Sequence, residues 1–181
     1  PGDRVAYLCP APGAYCGVRT LALQHVVRLP AEVDDVVAAA LLLKGCTADL
    51  LLRDLGHVGR GTRVLVHATA GGLGMLTASL ARSLGAMVIG TVSSEAKAKI
   101  AREHGCEHVI VTGGEPSARG AASASGTISF ADAVQRLGGA QLIVDGLGGP
   151  AFDENLAALA RGGHWISVGQ AGGPLPNVSP D

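Results

Sequence analysis

The sequence predicts an α/β fold: a doubly wound parallel sheet with helices on both faces, preceded by a small β segment. Three observations carry this prediction. From Thr62 onward, short apolar runs alternate with helical stretches, the pattern of βαβ units. Glycine makes up 27 of 181 residues, about 15% and roughly double ordinary usage, and it falls where strands and helices meet. The first junction, Ala68 to Gly74, reads as strand, glycine turn, helix.

Each element follows from local chemistry. Residues 4–8, 14–18 and 25–29 read as short strands, punctuated by Pro10, Pro12 and Gly13. After Pro30 the chain becomes Ala/Leu-rich. Val36, Ala39, Ala40 and Leu43 fall at helical spacing, so 33–55 is expected to be helical, broken into two helices near Gly45 and ended by Gly56 and Gly59. Residues 63–68 form an apolar run suited to a strand buried on both faces. Residues 71–84 are helical, with Leu73, Leu76, Leu80 and Leu84 toward one side and Gly85 as the stop. Strand 87–92, helix 95–104, strand 108–112, helix 130–137, strand 141–145, helix 152–160 and strand 164–168 complete the pattern. Gly105, Gly138-Gly139 and Gly162-Gly163 end the three later helices. Residues 113–129 are almost entirely Gly, Ala, Ser and Thr and are expected to form a mobile surface loop.

Composition excludes several function classes. With 48% hydrophobic and 16% charged residues, disorder is not the main state. A net charge of −1 and 3% aromatics leave no footprint for nucleic acid or an anionic membrane surface. No apolar run reaches the ~18 residues of a membrane span. Cys9, Cys16, Cys46 and Cys106 contain no C-x-x-C spacing, which points to reduced thiols in the cytoplasm rather than to disulfides or zinc. The six histidines, His25, His57, His67, His104, His108 and His164, lack metal spacing as well. His67, in a strand, reads as a packed histidine before it reads as a base, and Cys46 as a helix residue before a ligand. The opening Pro1-Gly2-Asp3-Arg4-Val5 reads as the interior of a longer protein, so the chain is expected to be a fragment.

The chemistry concentrates after the first long strand. In Ala68-Thr69-Ala70-Gly71-Gly72-Leu73-Gly74, Gly71 lets backbone approach a pyrophosphate and Gly74 lets the helix lie close to the strand. The helix start offers unpaired N–H groups to phosphate. Thr69 stands where the first glycine of the G-x-G-x-x-G pattern would be, and the competing reading is a glycine turn kept for packing alone. A site for NAD would want Asp or Glu about 20 residues on, to hold the ribose 2′-OH. That window holds Thr91, Val92, Ser93 and Ser94, with Lys97 a helical turn later. Hydroxyls and an ammonium suit a 2′-phosphate, so NADP(H) is the expected cofactor. Glu95 is a mild counter-signal, and Ser93 as a plain N-cap with Lys97 as an exposed helix lysine is the alternative.

Five motifs in order extend this reading. They are Gly2-Asp3-Arg4-Val5-Ala6-Tyr7, Leu43-Lys44-Gly45-Cys46-Thr47-Ala48, Val64-Leu65-Val66-His67-Ala68 with its glycine turn, Gly90-Thr91-Val92-Ser93-Ser94, and Val144-Asp145-Gly146-Leu147-Gly148-Gly149. Together they resemble the zinc-independent quinone oxidoreductases, the zeta-crystallin-like family of the medium-chain dehydrogenase/reductase superfamily. The resemblance covers nearly the whole chain. It implies NADPH-dependent hydride transfer to quinones or α,β-unsaturated carbonyls, usually by a homodimer. It divides the chain into remnant strands of a GroES-like catalytic domain (1–32) and an NADP(H)-binding Rossmann domain (33–181).

Carried over by motif, the family's cofactor contacts fall on Lys44 and Thr47, on Ala70, Gly71, Gly72, Leu73 and Gly74, and on Ser93, Ser94 and Lys97. The remaining contacts fall on Gly146, Leu147, Val168, Gly169 and Gln170. A serine of the family's aspartate-serine-valine segment is Gly146 here, and a tyrosine after the third sheet strand is Thr112. Where the zinc-dependent relatives place a metal cysteine stands Leu43, so no metal is expected. The resemblance assigns no catalytic residue within this chain, and the fragment alone is expected to turn over little or no substrate. Two other readings use the same residues: the enoyl reductase segment of a polyketide synthase, and a non-catalytic NADPH-binding module.

Overall fold

A computed structural model of the chain describes residues 2–8, 12–113 and 129–177. Cys9 and positions 114–128 of the expected 113–129 loop lie outside these. The chain divides into two compact units, one ending at Thr47 and the other beginning at Ala48.

In the first unit, β1 (Val5–Tyr7) and β2 (Val26–Arg28) pair antiparallel, with Ala6 opposite Val27. Helix α1 (Asp35–Asp49) begins where Asp34 Oδ1 accepts from the backbone N–H of Val36 at 2.8 Å, an N-cap. Arg4 ties β1 to the helix start through Asp35 Oδ1 at 2.6 Å. Three expectations are corrected here. Residues 14–18 are bends rather than a strand: Tyr15 and Val18 stand fully out in solvent, and no strand pairs with them among the described residues. Gly45 does not break the helix, which runs through it to Asp49. The stripe of Val36, Ala39, Ala40 and Leu43 is exposed, while Ala38 is buried. Nearly every position from 36 to 43 is apolar, so helical spacing alone fits several faces equally well.

In the second unit, the helix continues as a wider turn over Leu50–Leu55, where the Gly56 N–H reaches back five residues to the Leu51 carbonyl. Leu51 and Leu52 of this turn enter the core. Five parallel strands follow in spatial order β5-β4-β3-β6-β7: β3 (Arg63–Val66), β4 (Met87–Val92), β5 (His108–Val111), β6 (Ala140–Asp145) and β7 (Leu159–Ser167). Helices α2 (Gly72–Ser83) and α3 (Glu95–Glu103) cover one face. Helices α4 (Phe130–Arg136) and α5 (Phe152–Ala158) cover the other.

Strand alternation feeds both layers. Val64, Val66, Val88, Leu142 and Val144 face α2 and α3, whereas Leu65, Ile89 and Ile143 face α4 and α5. That two-sided burial is why these strands are continuous apolar runs in the sequence. The expected doubly wound sheet is therefore present, and its helices stop where left-handed glycines stand: Gly85 (φ 83°), Gly105 (φ 103°), Gly138 (φ 96°) and Gly139 (φ 75°).

Two further details depart from expectation. The buried stripe of α2 is made of small residues, Gly74, Thr77, Ala78 and Ala81, while Leu73, Leu76, Leu80 and the following Leu84 are only half-buried. Helix α5 ends at Ala158 instead of running to 160, and β7 starts at Leu159. Gly162 and Gly163 thus lie inside a strand, where the register with β6 shifts between Ala140 and Leu142. Gly162 takes a left-handed φ of 74°, and a Cβ on Gly163 would sit 2.6 Å from the Ala140 carbonyl oxygen. A bulge that crowded selects glycine.

Candidate functional site

Four connections gather at the carboxyl end of the second unit's sheet: the turns after β3, β4, β6 and β7. Strand order reverses between β3 and β6, since the chain leaves β3 toward β4 on one side and β6 toward β7 on the other. Open α/β sheets bind ligands in the crevice at such a reversal.

The β3–α2 turn is tightly drawn. Ala68 adopts a left-handed φ of 50°. The Thr69 hydroxyl donates to the Val66 carbonyl at 2.7 Å, and the Thr69 N–H donates to the Thr91 carbonyl at 3.1 Å. A Cβ on Gly74 would lie 2.6 Å from the Ala68 oxygen and 2.7 Å from the Thr69 Cα, so the helix touches the turn there. Gly71 is exposed and extended (φ −82°, ψ 163°), and no side chain caps α2. Among the described residues, the N–H groups of Gly72, Leu73 and Gly74 find no backbone acceptor. Free amides at the start of a twelve-residue helix, on an open glycine surface, fit an anion.

The β4–α3 turn supplies the polar group expected there. Lys97 Nζ donates to Ser93 Oγ at 2.8 Å, and the Lys97 N–H donates to Ser94 Oγ at 3.4 Å, making Ser94 the N-cap. Ser93, read in the sequence as the alternative cap, is instead the side-chain partner of Lys97. Glu95 is exposed in the first turn of α3. Thr112 lies after β5 and donates to the Val92 carbonyl at 3.3 Å.

The turns after β6 and β7 are sewn together. Val168 N–H donates to the Asp145 carbonyl at 2.7 Å, Ala171 N–H to Gly146 at 3.0 Å and Gly172 N–H to Leu147 at 2.8 Å. Gly146, Leu147, Val168, Gly169 and Gln170 are thus brought into one ledge. Beneath it, the fully buried Asp145 accepts from the Leu147 N–H at 2.7 Å and from the Trp165 indole N–H at 3.3 Å. Lys44 and Thr47 belong to the first unit, where their side chains donate to carbonyls of their own helix, Ala40 at 3.3 Å and Leu43 at 2.7 Å.

Two buried groups complete the turn region. His67 follows β3 and is 4% exposed. Its Nδ1 lies 2.8 Å from Thr91 Oγ1, its Nε2 lies 2.6 Å from Asn155 Oδ1, and its ring meets Phe130 edge-on. Burial pushes its pKa below the ordinary value; the Asn155 bond and the Asp145 and Glu154 charges oppose that shift. The ring is therefore held neutral, a packed histidine as expected. Cys106 lies under Gly90, and burial pushes its thiol up to about 11.

Sequence reading passed over Asp145, Thr91 and Asn155 as individual contributors. An aspartate closing an apolar strand just before glycine-rich turn residues is a recognisable signal for an Asx turn and would have found the first. Asn155 carries no such local signal.

Comparison with known proteins fits this geometry. Residues 72–181 match the family model described as zinc-binding dehydrogenase, and the chain belongs to that family. It is 36% identical over 178 residues to a quinone oxidoreductase of Pseudomonas aeruginosa, covering 98% of this chain and 52% of the relative. A 2-haloacrylate reductase of Burkholderia sp. is 36% identical over 177 residues, covering 95% and 49%. The crystal structure of an Escherichia coli quinone oxidoreductase complexed with NADPH superposes with a TM-score of 0.85 at 29% identity, covering 98% of this chain and 52% of that one. The chain spans about half the length of the curated relatives it matches. The kinship with quinone oxidoreductases and the Rossmann-type sheet expected from the motifs stand.

Proposed function

We propose that this chain is the cofactor-binding part of an NADPH-dependent oxidoreductase that reduces a quinone or an α,β-unsaturated carbonyl without zinc. The observation that carries the reading is the pairing of two anion-suited turns on neighbouring strands: the uncapped α2 amides after β3, and Ser93, Ser94 and Lys97 after β4. A pyrophosphate suits the first and a 2′-phosphate the second. The Escherichia coli structure with NADPH supports the choice of dinucleotide.

In this reading Gly71, Gly72, Leu73 and Gly74 present backbone to the pyrophosphate, with Ala70 lining the approach. Lys97 neutralises the 2′-phosphate, and Ser93 and Ser94 donate hydroxyls to it. The ledge of Gly146, Leu147, Val168, Gly169 and Gln170 flanks the nicotinamide half, and the family resemblance alone assigns Lys44 and Thr47 to the cofactor. The bound dinucleotide supplies a hydride to an electrophilic carbon or quinone ring. This chain's residues hold and orient it and exclude water. None of them is assigned as a general acid or base. Residues 1–32 are read as remnant strands of a GroES-like catalytic domain, with 33–181 as the cofactor domain. The full-length protein is read as a cytoplasmic homodimer.

Fluorescence titration with NADPH and NADH tests the reading. NADPH binding at least tenfold tighter, about 1.4 kcal/mol, supports it. Absence of binding by either, in the full-length protein as well, rejects it.

A further inference from the structure

The buried ring of His67 joins the two anion-suited turns, and nothing in the cofactor reading uses it. It sits four residues before Gly71, and Thr91, its partner through Nδ1, sits two residues before Ser93. Its Nε2 reaches Asn155 on α5, 88 residues away in sequence. Phe130 of α4 closes over the ring. One side chain thus spans the β3 turn, β4, α4 and α5.

The Asn155 end of this arrangement is incompletely paired. It is fully buried, and its Nδ2 has no hydrogen-bond partner among the described residues. A buried unpaired donor is destabilising, and an apolar pair of the same shape would avoid that cost.

We propose that His67 is a positioning residue that sets the separation between the pyrophosphate turn and the 2′-phosphate group, with Thr91 and Asn155 as its two clamps. The proposal rests on the cofactor reading above. In a single dinucleotide the pyrophosphate and the 2′-phosphate are joined through one ribose, so their mutual distance is nearly fixed. Two protein anchors must keep a matching distance to engage both. NADH lacks the 2′-phosphate and is indifferent to that spacing. Selectivity between the two cofactors therefore reads the spacing, whereas a role in folding alone changes stability and leaves selectivity untouched.

The experiment compares NADPH and NADH dissociation constants for wild type, His67→Leu, His67→Gln, Thr91→Val and Lys97→Ala, with circular dichroism and melting curves for each. Thr91→Val keeps the β-branched shape on β4 and removes only the hydroxyl facing Nδ1, so it remains informative if His67→Leu fails to fold. The expected result is a fall of at least fivefold in the NADPH-to-NADH preference for His67→Leu. Thr91→Val shifts in the same direction by at least threefold, and His67→Gln, which can both donate and accept, recovers part of the preference. Preference within twofold of wild type in folded Thr91→Val and His67→Leu, whatever their melting temperatures, overturns the proposal. If His67→Leu does not fold, Thr91→Val alone decides. Should wild type prefer NADPH and lose that preference only in Lys97→Ala, the cofactor reading stands and this proposal falls. Should the full-length wild type bind neither dinucleotide, both fall.

Discussion

Gly74→Ala is the most exacting test of how the β3–α2 turn is built. Position 74 lies inside a helix, where alanine is favoured over glycine by ~1 kcal/mol. Propensity alone therefore predicts a more stable protein. The structure predicts the opposite. The new methyl would meet the Ala68 carbonyl oxygen at 2.6 Å, the Thr69 Cα at 2.7 Å and the Thr69 carbonyl oxygen at 3.0 Å. All three are backbone atoms, held by the Thr69 bonds to Val66 and Thr91, so none can swing aside as a side-chain tip would. Overpacking against such a wall costs roughly 1–3 kcal/mol, more where relief needs a backbone shift. Two contacts below 3.0 Å against fixed backbone put the cost in the upper part of that range, about 2–3 kcal/mol; set against the propensity gain, the net loss is about 1–2 kcal/mol, or a melting temperature lower by about 2–8 °C for a chain of this size. Gly71→Ala is the milder comparison: its single contact, the same Ala68 oxygen at 3.1 Å, needs only a few tenths of an ångström of give and its φ of −82° suits alanine, so its loss should be smaller than that of Gly74→Ala. Thermal and urea denaturation of both variants provide the measurement. A Gly74→Ala protein as stable as wild type, or more so, would refute the view that helix and turn touch at this residue.

Other expectations follow from the same geometry. Lys97→Ala should weaken NADPH binding about tenfold, ~1.4 kcal/mol, and leave NADH within twofold; equal losses for both would detach Lys97 from the 2′-phosphate. Asp145→Asn turns an acceptor facing the Trp165 indole N–H into a donor. The chain's single tryptophan should then shift its emission, with a stability loss of about 1–3 kcal/mol, and an unchanged spectrum would contradict the hydrogen bond. Because burial lowers the His67 pKa below 6.5, the unfolded chain takes up a proton there before the folded one does. Stability from this group is thus present above pH 6.5 and declines as the pH falls below it. His67→Gln should flatten that part of the urea midpoint against pH, and an identical slope would count against it. Maleimide labelling at pH 8 followed by peptide mapping should modify the exposed Cys16 and Cys46 and spare Cys106, whose thiol lies buried with its pKa near 11, until urea opens the fold.

The second unit was largely legible in the sequence for a physical reason. A strand covered on both faces leaves a continuous apolar run. Its connecting helices end at glycines whose positive φ few other residues tolerate, as at Gly85, Gly105 and Gly138-Gly139. The features that escaped depend on distant partners. Whether 14–18 is a strand depends on another strand being beside it. The start of β7 depends on the Ala140 backbone crowding Gly163. Gly45 could be read as a break because glycine is a weak helix former, yet neighbouring turns carried the helix through it. The candidate site divides in the same way. The glycine turn and the Ser93–Lys97 group are local in sequence. The Asp145–Trp165 and His67–Asn155 contacts join positions 20 and 88 residues apart, and no window of sequence contains both ends of the latter.

The small-residue seam of α2 inverts a familiar expectation about tolerance to mutation. In most amphipathic helices the leucines are the sensitive positions and the alanines are filler. Here Gly74, Thr77, Ala78 and Ala81 are the residues pressed against the sheet, and Leu73, Leu76 and Leu80 ride at its margins. A saturation library over α2 should accordingly accept many residues at the three leucines and almost nothing larger at the seam. The helix can then change much of its visible surface over generations while its amide end stays at one fixed depth beside the strands.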